Sequence, residues 1–176
     1  MIRPLSAAVA AGFGVVFAVS SGAQDRCADG FGCPDDRLNA FVATCLSQGS
    51  ARDTCPQSAL ALCQRMGGDD QTTTGLAACH TRTGHAWDLA LAEAQARLAR
   101  AFGARKPDGP ALAARFEEDQ ATWRAHRDAA CAFAYGLHGP GSARIVAGAA
   151  CNGRMTAERT LALWTLMDMW APDARP

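Results

Sequence analysis

No charge of either sign dominates this chain: 17 Lys+Arg residues stand against 17 Asp+Glu among 176 residues. A balanced chain has no broad electrostatic reason to seek nucleic acid or an anionic membrane. No apolar run reaches the roughly 20 residues of a membrane span; the stretch from Leu5 to Val19 is shorter and broken by glycine. No Cys-x-x-Cys pair occurs and the cysteine spacings are irregular, which argues against a metal site, Cys79-His80 included. Strand-like alternation of apolar and polar residues is missing throughout, which excludes a sheet-built fold. Phosphate-binding loops, nucleophile elbows and cofactor fingerprints are missing too. His126-Arg127-Asp128 matches the start of a protein-kinase catalytic loop, but no Asn follows at the required distance and no glycine-rich loop exists. Catalytic residues, cofactor and metal are therefore all expected to be none.

What is present begins with a leader. Arg3 is the only charge before position 25, the apolar stretch follows, and Ser21-Gly22-Ala23 offers the small residues of a signal-peptidase site. The expectation is a signal peptide over residues 1–23, cleaved near Ala23-Gln24, and a periplasmic or secreted protein. The mature chain would carry 16 basic and 17 acidic residues, a net −1. No Cys directly follows the small residues, so no lipid anchor is expected in the mature form. All eight cysteines fall after the leader: Cys27, Cys33, Cys45, Cys55, Cys63, Cys79, Cys131 and Cys151. An even number in an oxidising compartment reads as a disulfide framework.

Periodicity and caps predict an all-α fold. A Cys-containing lead-in over 24–54 carries one helix from Asp35 or Asp36 to Gln48, and the helical domain proper spans 55–170, with 171–176 as a tail. Thr54 and Pro56 start a second helix that Gly67-Gly68 ends. The strongest pattern is the stripe Leu76, His80, Thr83, Trp87, Leu91, Ala94, Leu98, Ala101 and Phe102, which predicts a helix over about 74–106. Gly84 within it costs about 1 kcal/mol relative to Ala and suits a close backbone approach. Lys106-Pro107-Asp108-Gly109-Pro110 breaks the pattern. A fourth helix over 111–137 follows, with Leu112, Phe116, Trp123, Ala130, Ala134 and Leu137 inward. The short connection makes these two a long antiparallel hairpin with Trp87 near Trp123. A short helix from Ser142 to Cys151, stopped at Asn152-Gly153, precedes a last one capped by Thr156 and running to about Trp170. That last helix is apolar nearly all round, which predicts either a central place or an unburied patch.

Alanine-rich helices bury little per residue, and disulfides offset this by about 2–4 kcal/mol each. The turn after the fourth helix favours a Cys131–Cys151 bond, and the Gly67-Gly68 turn favours Cys63–Cys79. Cys27, Cys33, Cys45 and Cys55 are left to pair among themselves.

Glu117-Glu118-Asp119 reads as a solvated acidic run, since adjacent helix residues point in different directions. Asp88 and Asp128 are expected to pair with arginine or to cap a local group. His80, within an apolar stripe, reads as a packed, hydrogen-bonded histidine, and His85 falls on the opposite face. A binding protein is favoured over an enzyme; a hydrolase using His80 or His126 with Asp88 or Asp128 is the weakest alternative.

The run Gln120…Trp123…Arg127-Asp128…Cys131, then Gly139-Pro140-Gly141-Ser142-Ala143, Cys151 and Thr156-Ala157-Glu158-Arg159, resembles the LprI-like lysozyme-inhibitor domain. Cys79 with Trp87-Asp88-Leu89 resembles the family's upstream motif. The sequence departs from the family where Leu-Asn becomes Leu89-Ala90, where a later Tyr is missing and where Pro140 replaces a Gly. The resemblance implies an extracytoplasmic protein-binding module whose partner is lysozyme; the alternative reading is an envelope scaffold with another partner, working through the apolar tail around Trp164 and Trp170. The motif residues it marks are Trp87, Asp88, Gln120, Trp123, Arg127 and Asp128.

Overall fold

The computed structural model describes residues 33–67 and 71–175; the leader and Cys27 lie outside them. Five α-helices and no strand occur among the described residues: α1 (Asp36–Ser47), α2 (Cys55–Met66), α3 (Thr73–Gly103), α4 (Gly109–Gly136) and α5 (Ala143–Trp170). The protein is all-α, as its periodicity predicts.

Local chemistry sets most boundaries. Asp35 caps α1 by accepting a hydrogen bond from Arg37 N at 2.9 Å. Burial works against the Asp35 charge, but the Arg37 side chain, the backbone bond and the Arg37 charge together hold its carboxyl below the ordinary range. Thr72 caps α3 through Gly75 N at 2.9 Å. Thr54 precedes α2 without capping it; its hydroxyl instead donates to Ala51 O at 2.8 Å, within a 3₁₀ segment (Gly49–Thr54) that the composition did not announce. Arg52 of that segment donates to Leu46 O, pairs with Asp168 and lies over the Trp164 ring at 4.8 Å, fastening the first helices to the last.

The three long helices form the frame. Contacts of Phe102 with Phe116 and of Gln95 with Gln120 set α3 and α4 antiparallel, as expected. α5 is the difference. The predicted short helix and last helix are one 28-residue helix running through Asn152-Gly153. Here Gly153 is a packing position rather than a stop: a Cβ on it would meet His80 O at 3.3 Å, and its Cα lies close to Gly84. Tertiary contact thus overrides the roughly 1 kcal/mol that glycine costs inside a helix. Through this crossing α5 runs parallel to α3 and packs along it more extensively than α4 does.

A single core joins all five helices. Leu38, Val42 and Leu46 of α1 meet Trp87, Leu91, Leu98 and Phe102 of α3, with Phe116, Leu163, Trp164 and Met167. The α3 stripe is buried from Thr83 to Leu98 and at Phe102, while Leu76, His80 and Ala101 are only half-buried. Both outcomes foreseen for the last helix occur. Its Leu163, Trp164 and Met167 are buried, but Met169 and Trp170 remain 63% and 59% exposed. On α4 the assigned inner face needs correction, because Leu112 and Leu137 lie on the surface. Beyond Gly109 and Phe116 at its start, the residues α4 buries are Gln120 and Cys131, so its contact face is largely polar.

Among the described residues three disulfides fix this arrangement: Cys45–Cys55, Cys63–Cys79 and Cys131–Cys151, with Cα–Cα distances of 5.9, 5.6 and 5.4 Å. The two bonds predicted from the turns are both present. Each closes a loop of 10 to 20 residues, a length for which restriction of the unfolded chain contributes about 3 kcal/mol.

Candidate functional site

The polar face of α4 faces polar residues on both neighbours, and the result is a network across all three long helices. Arg127 sits at its centre with its side chain 18% exposed. Its guanidinium donates to Asp88 Oδ1 on α3 at 3.2 Å, to Thr156 Oγ1 on α5 at 3.1 Å and to Asp128 Oδ1 at 3.1 Å. Thr156 Oγ1 also donates to Asp88 Oδ1 at 3.4 Å. Thr156 was expected to cap a helix; instead it lies inside α5, fully buried, with its hydroxyl between two charged partners.

About two turns toward the N-terminus of α4 the pattern repeats. Gln120 is buried, and its Oε1 accepts from Gln95 Nε2 of α3 at 3.0 Å and from Arg159 Nε of α5 at 3.1 Å. Arg159 also pairs with Asp119. Trp123 lies between the two clusters, with the Arg127 guanidinium 5.2 Å and that of Arg159 5.8 Å from its ring centroid. Two cations against one indole, each also tied to a carboxylate, form a rigid unit. Beyond it the Cys131–Cys151 bond closes the end of the α4–α5 pair, with Met155 Sδ 3.7 Å from Cys131 Sγ.

Five of the six motif residues thus converge. Asp88, Gln120, Trp123, Arg127 and Asp128 belong to one network, whereas Trp87 is a core residue. The indole of Trp87 lines a small cavity of about 230 Å³ with Pro56, Leu60 and His80. Sequence reasoning missed Gln95, read Asp119 only as part of a solvated acidic run, and gave Arg159 no role. The available signal was the spacing of Gln120, Trp123, Arg127 and Cys131, a three-and-four stripe made of polar and sulfur-bearing residues.

The chemistry this arrangement supports is cohesion and charge display. Asp88 and Asp128 are both engaged by Arg127, and no ion pair joins either to a histidine among the described residues. Burial lowers the proton affinity of His80 below the ordinary imidazole value, and Cys79 beside it is in a disulfide. No cluster of three or more His, Cys, Asp or Glu suited to a metal ion occurs among the described residues. The arginines of the network point inward while its acids stay wet. Side chains of Asp88, Asp119 and Asp128 are 52%, 61% and 65% exposed, and Glu117 and Glu118 lie on the surface beside them. A separate groove of about 640 Å³ opens between α1, α3 and α5, lined by Ala43, Leu46, Leu89, Ala94 and Trp164.

Fold and network define a helical domain cross-linked in the manner of proteins from oxidising compartments. The family model described as lysozyme inhibitor LprI matches residues 63–163, more than half of the chain, and the protein belongs to that family. The match begins at the first cysteine of the Cys63–Cys79 bond and covers the whole network. No curated protein and no solved structure matches the chain.

Proposed function

We propose that the domain is an extracytoplasmic inhibitor that binds lysozyme through the acidic middle of the bundle. Family membership carries this reading, and the charge geometry supports it. Lysozymes of animal hosts are strongly basic, so an inhibitor gains association rate from carboxylates displayed at its surface. A net charge of −1 steers little, but charge is not spread evenly here. Arg127 and Arg159 are drawn into the network, leaving Asp88, Asp119, Asp128, Glu117 and Glu118 exposed against a single free arginine among the described residues there, Arg124. The Cys131–Cys151 staple at one end of the network helps keep that display rigid, which lowers the entropic cost of binding.

The test is the clearing of a bacterial cell-wall suspension by lysozyme. Oxidised protein comprising residues 24–176 is expected to slow clearing at micromolar concentration, and less so as salt rises. Reversing two exposed charges, Glu117→Lys with Glu118→Lys, is expected to reduce the association rate about tenfold while leaving the helical content unchanged. Undiminished clearing at a large excess of protein removes the reading.

A further inference from the structure

The end of the bundle where α3 stops, α4 starts and α5 stops has the opposite character. Arg105, Lys106 and Arg115 are exposed there, and none pairs with a carboxylate among the described residues. Together with Asp108 and Leu112 they line a shallow depression of about 500 Å³. Arg105 lies 6.0 Å from the ring of Trp170, so the end of α5 adjoins this basic surface. Trp170 and its neighbour Met169 are both mostly exposed, and Leu112 is 36% exposed. An unpaired cationic cluster beside a solvent-facing indole suits the headgroup layer of an anionic bilayer. Trp prefers that depth because its ring is apolar while its N–H still finds a partner. Each nearby Lys or Arg gains from the negative surface potential. A cationic lysozyme would be repelled here. No helix among the described residues is long and apolar enough to cross a membrane, so any contact is superficial.

We propose that this end docks on a bilayer surface rich in anionic phospholipid headgroups, with Trp170 entering the headgroup layer and Arg105, Lys106 and Arg115 facing the lipid phosphates. The proposal is independent of lysozyme binding. The near-zero net charge conceals it, because the acidic middle and the basic end cancel in the sum.

Sedimentation with vesicles of phosphatidylglycerol and phosphatidylethanolamine tests it, using the oxidised chain of residues 24–176 at low salt. Binding is expected with these vesicles and not with pure phosphatidylcholine, with release as ionic strength rises. The substitutions Lys106→Glu with Arg115→Glu, and separately Trp170→Ala, alter exposed side chains and should each lower the partition coefficient about tenfold or more. The milder pair Lys106→Gln with Arg115→Gln gives the same direction should the reversals perturb folding. Failure to sediment with anionic vesicles, equal binding to phosphatidylcholine, or indifference to these substitutions overturns the proposal. Retention on heparin without vesicle binding also overturns it, in favour of a soluble polyanion.

Discussion

At Arg127 one guanidinium serves Asp88, Asp128 and Thr156, which belong to three different helices. Replacing it with Ala leaves the buried Thr156 hydroxyl with no donor to accept from, only Asp88 to donate to, and frees both carboxylates to repel one another. A loss of about 1–3 kcal/mol is expected, read as a lower urea midpoint at unchanged slope. Arg127→Lys should recover little, because an ammonium cannot reproduce the fork or its stacking on Trp123. A change below about 0.5 kcal/mol, within the range of ordinary surface substitutions, would show that the network does not hold the helices. His80 gives a second expectation. Burial lowers its proton affinity in the fold relative to the ordinary 6.5. The unfolded chain therefore binds a proton first, and stability should fall as pH drops below about 6.5 and on through the lowered native value. His80→Gln is expected to flatten that part of the stability profile between pH 7 and 5; an unchanged slope would place the titration elsewhere.

Among the elements, the crossing of α3 and α5 depends on two glycines. A Cβ at Gly84 would stand 3.6 Å from the Gly153 Cα, an ordinary contact, whereas one at Gly153 would press on the His80 carbonyl at 3.3 Å. Gly84→Ala should then be neutral or stabilising, since alanine gains up to about 1 kcal/mol of helix propensity. Gly84→Leu should separate the helices and cost about 1–3 kcal/mol or more. Thermal unfolding of the two variants distinguishes the cases, and equal stability of Leu and Ala at this position would refute the close crossing. α4 is held differently. Phe116 is the large apolar side chain it buries, and the rest of its grip comes from Gln120, the Trp123 stack, Arg127 and the Cys131–Cys151 bond. Its outer surface is consequently free to display acids.

Over the whole molecule, charge is segregated although it sums to zero. Arg127 and Arg159 are consumed by the network, Arg124 stays exposed beside it, and Arg105, Lys106 and Arg115 lie outside it. Among the described residues, five wet acids therefore outnumber one free arginine in the middle, while the end is basic. The proposed lysozyme inhibition and the proposed vesicle binding should both weaken with salt, yet they are expected to answer to different residues: Glu117 and Glu118 for the first, Lys106 and Arg115 for the second. Disulfides make such a division workable in a small domain. They hold α1 and α2 to the long helices through Cys45–Cys55 and Cys63–Cys79, so the surfaces need not contribute to the core.

Much of this was legible in the residues. The three-and-four stripe of α3, the cap at Asp35 or Asp36, the breaker at Lys106–Pro110 and the even cysteine count are local signals, read within a turn or two of chain. They determine that helices form and which turns bring cysteines within bonding reach. Tertiary structure alone decided the rest. Asn152-Gly153 carries a stop signal that the crossing with Gly84 overrides, and the inner face of α4 is invisible to hydrophobic periodicity because it is polar. Pairs such as Asp88 with Arg127 and Gln120 with Arg159 come into existence only when three helices close on one another, and a hydrogen bond across such sequence distances leaves no mark in either segment by itself.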